Sequence, residues 1–148
     1  MAMPEMQEWI EAARLEPDRG WGEAGLRQVD WAIGQIAANG WPAHCCLSRP
    51  DAPLTHTLGY LLRGILEAWR FGGDARYLDA ATRLGTGLRS ALRPDGRLPG
   101  RLRQDWQAAV TWNCLTGSVQ IAHCWLILFE ATGDDSWRSA ARSANTFV

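Results

Sequence analysis

The sequence predicts an all-α fold made of antiparallel αα-hairpins, about three in number. The first observation is a repeat, because sliding the chain by sixty residues aligns His56–Arg83 with Thr116–Ser143 without a gap. The second is that apolar residues recur at helical spacing in both copies. The third is a Gly-Asp turn at the same place in each copy, which divides it into two helices. One such hairpin cannot bury its apolar face alone, so the copies are expected to stack.

Six helices are predicted from the spacing of apolar residues and from the Gly and Pro residues that interrupt it. In chain order, their expected bounds are Glu5–Leu15, Glu23–Ala38, His56–Phe71, Ala75–Leu92, Thr116–Ala131 and Asp135–Phe147. They pair into hairpins at approximately 5–38, 56–92 and 116–147, within one domain of residues 1–148. Asp74 is the expected N-cap of the fourth helix, and Asp134 or Asp135 that of the sixth, because a carboxylate accepts hydrogen bonds from the unpaired N–H groups at a helix start.

Two connections between helices are long, namely Asn39–Thr55 and Arg93–Leu115. In a stack of antiparallel hairpins every second connection emerges on the same face, so both are expected to lie together. Unstructured connections of this length are uncommon in compact domains and often carry function. The face that they form is therefore the expected place of a site, although they could simply cover the edge of the core.

The composition argues against several classes of protein. The chain is 47% apolar and carries nine Trp, which is typical of a folded domain with a real core. All fifteen cations are Arg against sixteen acidic residues, and the net charge of -1 indicates neither a nucleic-acid partner nor an anionic membrane. The most apolar stretch, Val119–Phe129, is too short to span a membrane. No secretory leader is recognisable in Met1–Gly20, so we expect a cytoplasmic protein with four reduced cysteines.

Three short motifs resemble those of a known superfamily. They are the repeated Gly-Asp-x-x-aromatic-x-x-Ala-Ala of Gly73–Ala81 and Gly133–Ala141, the Gln35–Trp41 segment, and Trp112–Gly117. Together they resemble the α/α-toroids, which include six-hairpin glycosidases, sugar 2-epimerases and the terpenoid-cyclase and prenyltransferase group. The Gln35–Trp41 segment is similar to the Gln-to-Trp motif of squalene-cyclase-like toroids, but it occurs once and the Asp-x-Asp-Asp motif is absent.

The resemblance implies a ring of about five to seven hairpins in which the third and fifth helices lie on the inner wall. Three hairpins fit the sequence, and Ala144–Val148 carries no helix stop signal. We therefore expect either a partial toroid with hairpins missing or a chain whose open flank is covered by self-association.

Polar residues form a stripe along the third helix at spacings of four, three and four: His56, Tyr60, Arg63 and Glu67. Sixty residues on, Thr116, Gln120 and His123 take the first three places again. If these stripes face a cavity, they offer hydrogen-bonding groups beside the faces of Trp rings. That combination of groups suits the binding of saccharides. The alternative is that Arg63 and Glu67 form an ordinary i,i+4 ion pair on a solvated helix face.

The predicted catalytic residues are Glu67, His56, His123 and Asp105. Glycosidic cleavage usually needs two carboxyl groups, which Glu67 and Asp105 or Asp51 could supply. A sugar epimerase would instead use His56 and His123 to move protons, because the pKa of His lies near neutrality. A lone His on an apolar helix can equally be a core residue.

The predicted substrate-binding residues are Trp41, Tyr60, Arg63, Trp106, Trp112, Asn113, Thr116 and Gln120. No cofactor and no metal are expected. A zinc site built from His44, Cys45 and Cys46 with Cys114, His123 and Cys124 is disfavoured, because no Cys-x-x-Cys pair is present. The predicted function is that of a carbohydrate-active α/α-toroid segment, of the glycoside hydrolase or sugar epimerase type, that binds saccharide at the long-loop face. A terpenoid-cyclase-like segment and a non-catalytic helical scaffold are the alternatives.

Overall fold

The computed structural model describes residues 5–148 as six α-helices joined by turns and two long loops. The helices are α1 (Glu5–Leu15), α2 (Trp21–Gly34), α3 (Thr55–Gly72), α4 (Ala75–Ser90), α5 (Leu115–Thr132) and α6 (Asp135–Phe147). A short 3-10 turn, Pro17–Arg19, precedes α2. Residues 5–148 contain no β-strand, only isolated bridges between loop residues, so the predicted all-α class is confirmed. None of the helices in this range is both long enough and apolar enough to cross a membrane.

The tight turns between α3 and α4 and between α5 and α6 have the predicted geometry. Gly73 and Gly133 end their helices with φ of 70° and 71°, in the left-handed region that glycine adopts without steric cost. The Asp74 carboxylate accepts a 2.9 Å hydrogen bond from the Arg76 N–H, and Asp134 accepts the equivalent bond from Ser136. The sixty-residue repeat is thus reproduced in backbone conformation as well as in sequence.

The end of α2 differs from the prediction, which placed it at Ala38 rather than Gly34. The chain turns instead through Gln35–Trp41, where the Ala37 N–H donates to the Trp41 carbonyl at 2.9 Å. Gly40 has a φ of 82°, and a Cβ added there would overlap the Arg83 carbonyl. The segment that resembled a helix end is therefore a turn packed against α4, a tertiary contact that local periodicity does not report.

The helices form two rows. In the first row α3 packs between α1 and α5, while α2, α4 and α6 each pack on the first helix of their own hairpin. The backbones of neighbouring second-row helices lie farther apart, and side chains bridge them, from Tyr77 to Asp30 and from Arg89 to Ser136. Because the helices of the first row are closely packed and those of the second row are spread apart, the two rows form a curved layer. The helices α1, α3 and α5 lie on its concave side. The core between the rows includes the fully buried Leu58, Leu62, Ile65, Leu84, Leu88 and Trp125.

The two long loops lie against each other on one face, as predicted. The Thr55 N–H donates to the Gly100 carbonyl at 3.0 Å, and Leu54 and Arg101 form an isolated bridge. The Asn39 side-chain amide donates to the Gln104 carbonyl, also at 3.0 Å. These contacts hold the loops above the starts of α3 and α5.

Trp106 fastens the second loop to α4. Its ring is buried, meets Trp41 edge to face at a centroid distance of 5.2 Å, and donates its indole N–H to the Asn39 carbonyl at 3.0 Å. The ring rests directly on Gly87, where a Cβ would overlap it. Gly85, two residues earlier, lies against the side chains of Leu128 and Trp137. Both glycines allow close packing.

Replacing Gly87 by Ala is expected to destabilise the fold by about 1–3 kcal/mol, because the added methyl displaces the Trp106 ring and overpacking costs this much. The matched control is Gly34→Ala, where the added Cβ meets nothing within 4 Å. That change is expected to be neutral or to stabilise by up to about 1 kcal/mol. Urea unfolding measures both, and equal stability of the two variants would contradict the packing described for Trp106.

Candidate functional site

The candidate site is a cleft between α3 and α5 on the concave side. Tyr60 and Arg63 of α3 and Gln120 and His123 of α5 line it, and it encloses about 140 Å³. The helices approach closely because Gly59 has no side chain, and a Cβ there would lie 3.3 Å from the Gln120 Cβ. Tyr60 and Gln120, like Arg63 and His123, are sixty residues apart. Equivalent positions of the repeat therefore meet face to face.

His123 is held by Arg63. The Arg63 Nη1 lies 2.9 Å from the His123 Nε2. A guanidinium only donates hydrogen bonds, so Nε2 must accept and the imidazole proton must sit on Nδ1. Burial, followed by the charges of Arg63 and Arg70, lowers the pKa of His123 below its ordinary value. His123 is thus a neutral ring whose Nδ1–H is a hydrogen-bond donor.

Glu67 lies deeper on the same stripe and is surrounded by three arginines. Arg14 of α1 donates to its carboxylate at 3.0 Å and Arg70 at 3.3 Å, while the Arg63 Nε lies 2.8 Å away without the alignment of a hydrogen bond. Burial raises the pKa of Glu67, but the hydrogen bond from Arg14 and the charges of Arg63 and Arg70 outweigh it and leave the pKa below its usual value. The group is an ionised carboxylate at neutral pH.

The predicted i,i+4 pair of Arg63 and Glu67 therefore exists, but its carboxylate is not on a solvated face, since only 5% of the Glu67 side chain is exposed. Sequence analysis missed Arg14, Arg70 and Glu130. The Arg70–Glu130 pair, at 3.1 Å, also joins positions sixty residues apart. Extending the stripe by one more turn in both copies would have found it.

His56 lies at the mouth of the cleft, at the start of α3. Its ring meets Tyr60 edge to face at 5.8 Å, and its Nδ1 is 3.9 Å from the Cys114 sulfur. Cys114 caps α5 by accepting the Gly117 N–H at 3.3 Å. His56 thus stands between the loop face and the polar stripe, with Nε2 directed to no partner among the described residues.

Trp112 lies in the second long loop, two residues before Cys114. Its ring lies on Gly100, where a Cβ would overlap it, and 47% of the residue is exposed. The neighbouring Asn113 pairs through its backbone with Pro99, but its buried Oδ1 accepts no hydrogen bond from any described residue. The Gln120 Oε1 inside the cleft is equally buried and also lacks a donor within residues 5–148. The two amide oxygens are therefore buried acceptors that no described residue satisfies, and the Trp112 ring is the exposed aromatic face near the start of α5.

The remaining predicted residues lie elsewhere. Trp41 and Asp105 line a wider, open depression of about 640 Å³ between the two long loops, and Trp106 is buried beside it. Asp105 accepts a hydrogen bond from the Gln107 N–H and is exposed. Thr116 is exposed at the start of α5 and does not line the cleft. The structure thus brings together Tyr60, Arg63, Gln120 and His123, with Glu67 behind them, and leaves Asp105 in another depression.

The cysteines that could have joined a zinc site are free thiols. Burial raises the pKa of Cys45 and of Cys124 to about 12, so neither is a ready thiolate ligand. Within residues 8–148, whose side chains the structure describes, no three His, Cys, Asp or Glu side chains converge on a point that could hold a metal ion.

Solved structures with the same arrangement of helices act on carbohydrates, according to their names. The unsaturated glucuronyl hydrolase of Bacillus sp. GL1 superposes with a TM-score of 0.81 at 12% identity, covering 99% of this chain and 45% of the hydrolase. An α-1,6-mannanase of Salegentibacter sp. gives 0.78 at 14% identity, with 99% and 46% covered. The cellobiose 2-epimerase of Spirochaeta thermophila gives 0.75 at 16% identity, with 97% and 41% covered. No protein-family model and no curated protein sequence matches the chain.

The fold is therefore part of an α/α-toroid, as the sequence motifs implied. The chain spans less than half the length of the three structures named above.

Glu67→Gln is expected to destabilise the fold by about 1–3 kcal/mol at neutral pH, because it leaves three arginines around a neutral group. The control is Glu130→Gln. The Glu130 carboxylate is 68% exposed, and its loss is expected to cost less than about 0.5 kcal/mol.

The pKa of Glu67 is lower in the folded than in the unfolded chain. The stabilisation by Glu67 is therefore present above its unfolded pKa and disappears as the pH falls through its folded pKa. Urea unfolding should show the gap between wild type and Glu67→Gln closing below the ordinary value of 4.5. A gap that persists in acid would show that Glu67 acts through shape and not through charge.

Arg63→Met is expected to release the His123 ring. Without the donor at Nε2 the preference for the Nδ1–H tautomer should weaken, and the pKa of His123 should rise toward 6.5, because one of the positive charges that lower it is gone. Long-range ¹H–¹⁵N NMR spectra across a pH series report both quantities. His44, which is exposed in the first long loop, serves as the internal reference and should not change. An Nε2–H tautomer in the wild-type chain would contradict the contact with Arg63.

Proposed function

We propose that the cleft between α3 and α5 binds a saccharide, and that the chain forms part of the substrate site of a carbohydrate-active toroid. The observation that carries the proposal is the cleft on the concave side in which Tyr60, Arg63, Gln120 and His123 meet, with the Gln120 Oε1 left without a donor. The likeness to toroids named for their action on sugars supports the same class.

The groups around the cleft match the surface of a sugar. Sugar hydroxyls both donate and accept, and the C–H face of a pyranose packs on aromatic rings. The Gln120 Oε1 would accept a hydroxyl proton, while the His123 Nδ1–H and the Tyr60 hydroxyl would bond a hydroxyl oxygen. The cleft is too small for a whole disaccharide, so the rest of the ligand would extend past His56 toward the exposed face of Trp112.

The side chains present favour proton transfer by histidine over hydrolysis by two carboxylates. Glu67 is held as an ion by its arginines, which suits a positioning residue and not a proton donor, and Asp105 lies in the other depression. His56 is the proposed proton-transfer residue because it borders the mouth with a free ring nitrogen. We therefore place the reaction nearer to sugar epimerisation or isomerisation than to glycoside hydrolysis.

An apolar prenyl substrate suits this surface less well. Arg63, Glu67 and Arg70 place charges along the concave side, and an isoprenoid chain lying on them would desolvate the charges without offering a hydrogen bond. No specific feature of the structure favours the terpenoid alternative.

Titration of the full chain with cellobiose, D-mannose and α-1,6-mannobiose, followed by NMR or calorimetry, tests the proposal. At least one sugar is expected to bind, and Trp112→Ala should weaken that binding by about tenfold or more, the equivalent of roughly 1.4 kcal/mol. Trp31→Ala is the matched control, since Trp31 of α2 is 44% exposed and lies in the second row. Gln120→Leu should weaken binding as well, because it removes the unpaired acceptor.

Farnesyl diphosphate serves as the opposing ligand in the same titration. Binding of farnesyl diphosphate without binding of any sugar would overturn the proposal in favour of the terpenoid alternative. Binding of neither ligand would favour the scaffold alternative. Equal effects of Trp112→Ala and Trp31→Ala would remove Trp112 from the site.

A further inference from the structure

The side chains of Cys114 and His56 meet where α5 begins beside α3. The His56 Nδ1 lies 3.9 Å from the Cys114 sulfur, within the range of a hydrogen bond to sulfur, and both residues are half-buried. The two nitrogens of a neutral imidazole have opposite roles, because one donates and the other accepts. The partner of Nδ1 therefore decides what Nε2 offers to a ligand at the mouth of the cleft.

The packing of α5 on α3 fixes the relative position of these two side chains. A Cβ added at Gly117 would lie 2.8 Å from the His56 backbone nitrogen and 3.2 Å from the Cys114 sulfur. On its other side the His56 ring meets Tyr60 edge to face. The contact is thus part of the helix interface and not a chance approach of two flexible side chains.

The second contact of the sulfur indicates the direction of the hydrogen bond to His56. The Gly117 N–H donates to the Cys114 sulfur at 3.3 Å, so the sulfur already accepts one bond as the N-cap of α5. If Nδ1 carried a proton, the sulfur, a weak acceptor, would accept a second bond. The thiol proton would then have no acceptor among the described residues. Donation from the thiol to Nδ1 satisfies both groups.

We infer that Cys114 is a positioning residue that keeps the proton of His56 on Nε2, at the mouth of the cleft. Transfer of the thiol proton to the ring does not alter this outcome, because an imidazolium beside a thiolate also carries a proton on Nε2. His56 therefore presents an N–H donor to a ligand in either charge state. In the proposed reaction it is the acid and not the base.

The contact also supplies a replacement for a donated proton. When Nε2–H protonates a negatively charged sugar oxygen, the electron pair of the N–H bond stays on the ring and Nδ1 takes the thiol proton. The imidazole stays neutral, and the negative charge moves from the oxygen to the sulfur. The Gly117 N–H and the start of α5 stabilise a negative charge there. This step rests on the proposed function, whereas the position of the proton on His56 does not.

Long-range ¹H–¹⁵N NMR spectra of the full chain, recorded without any sugar, test the inference. At about pH 7.5, roughly one unit above the ordinary pKa of histidine, most imidazole is neutral. His56 is expected to carry its proton on Nε2 more often than His44, which is exposed in the first long loop. In Cys114→Ala the ratio of Nε2–H to Nδ1–H in His56 should fall by about threefold, on the scale of one weak hydrogen bond. His123, which Arg63 holds, should keep its proton on Nδ1 in both chains.

Cys114→Asp separates the effect on His56 from the cap of α5. Aspartate is a good N-cap, so circular dichroism should show unchanged helix content. A carboxylate only accepts hydrogen bonds, so Nδ1 should gain a proton in this variant. Equal Nε2 occupancy of His56 and His44 in the wild-type chain, or a proton position on His56 that neither variant changes, would overturn the inference. The sugar titration of the wild-type chain tests the proposed function separately, so the failure of one is distinguished from the failure of the other.

Discussion

The concave side depends on the ion pairs that the buried Glu67 carboxylate makes with three arginines. Burying a charged carboxylate costs on the order of several kcal/mol, unless neighbouring charges and hydrogen bonds offset the lost hydration. Arg14, Arg63 and Arg70 supply both from α1 and α3, while a quarter or more of each arginine side chain stays exposed and hydrated. The same carboxylate fixes the direction of Arg63, and Arg63 fixes the tautomer of His123. One ion cluster thus links the packing of the helices to the chemistry of the cleft.

Duplication of a hairpin imposes a condition on this cluster. Arg63 and Arg70 of α3 each meet their own counterpart in α5, so an unaltered copy would place Arg63 against a second arginine. Like charges in contact are strongly repulsive at such distances. The chain instead pairs Arg63 with a neutral histidine and Arg70 with Glu130. Divergence between the two copies is therefore a physical requirement of their contact, and it is what makes the cleft chemically asymmetric.

The sequence was sufficient for features that local physics determines. Apolar periodicity predicted six helices. Asp74 caps α4 and Asp134 caps α6 as expected, because capping depends on neighbouring residues alone. The predictions were wrong where a contact with residues distant in the sequence determines the structure. The end of α2 is set by the fit of Gly40 on α4, and Trp106 is buried because Gly87, nineteen residues earlier, leaves room for its ring. Arg14 was not predicted as a site residue for the same reason, since nothing near it in the sequence indicates that its partner is Glu67. Of the predicted binding residues on the repeated stripe, Tyr60, Arg63 and Gln120 line the cleft and Thr116 does not. Trp41 lines the other depression.

The unpaired acceptors on the concave side complete the physical case for a polar ligand. A buried acceptor without a donor destabilises a fold by about 1–3 kcal/mol, and an apolar side chain of similar size would avoid that cost. The chain nevertheless carries an amide at Asn113 and at Gln120, while its apolar core between the two rows supplies the stability that tolerates them. A hydroxylated ligand offers the missing donors, and a hydrocarbon offers none. The two unpaired acceptors therefore support the proposed binding of a hydroxylated ligand, near the contact between α3, α5 and the second long loop.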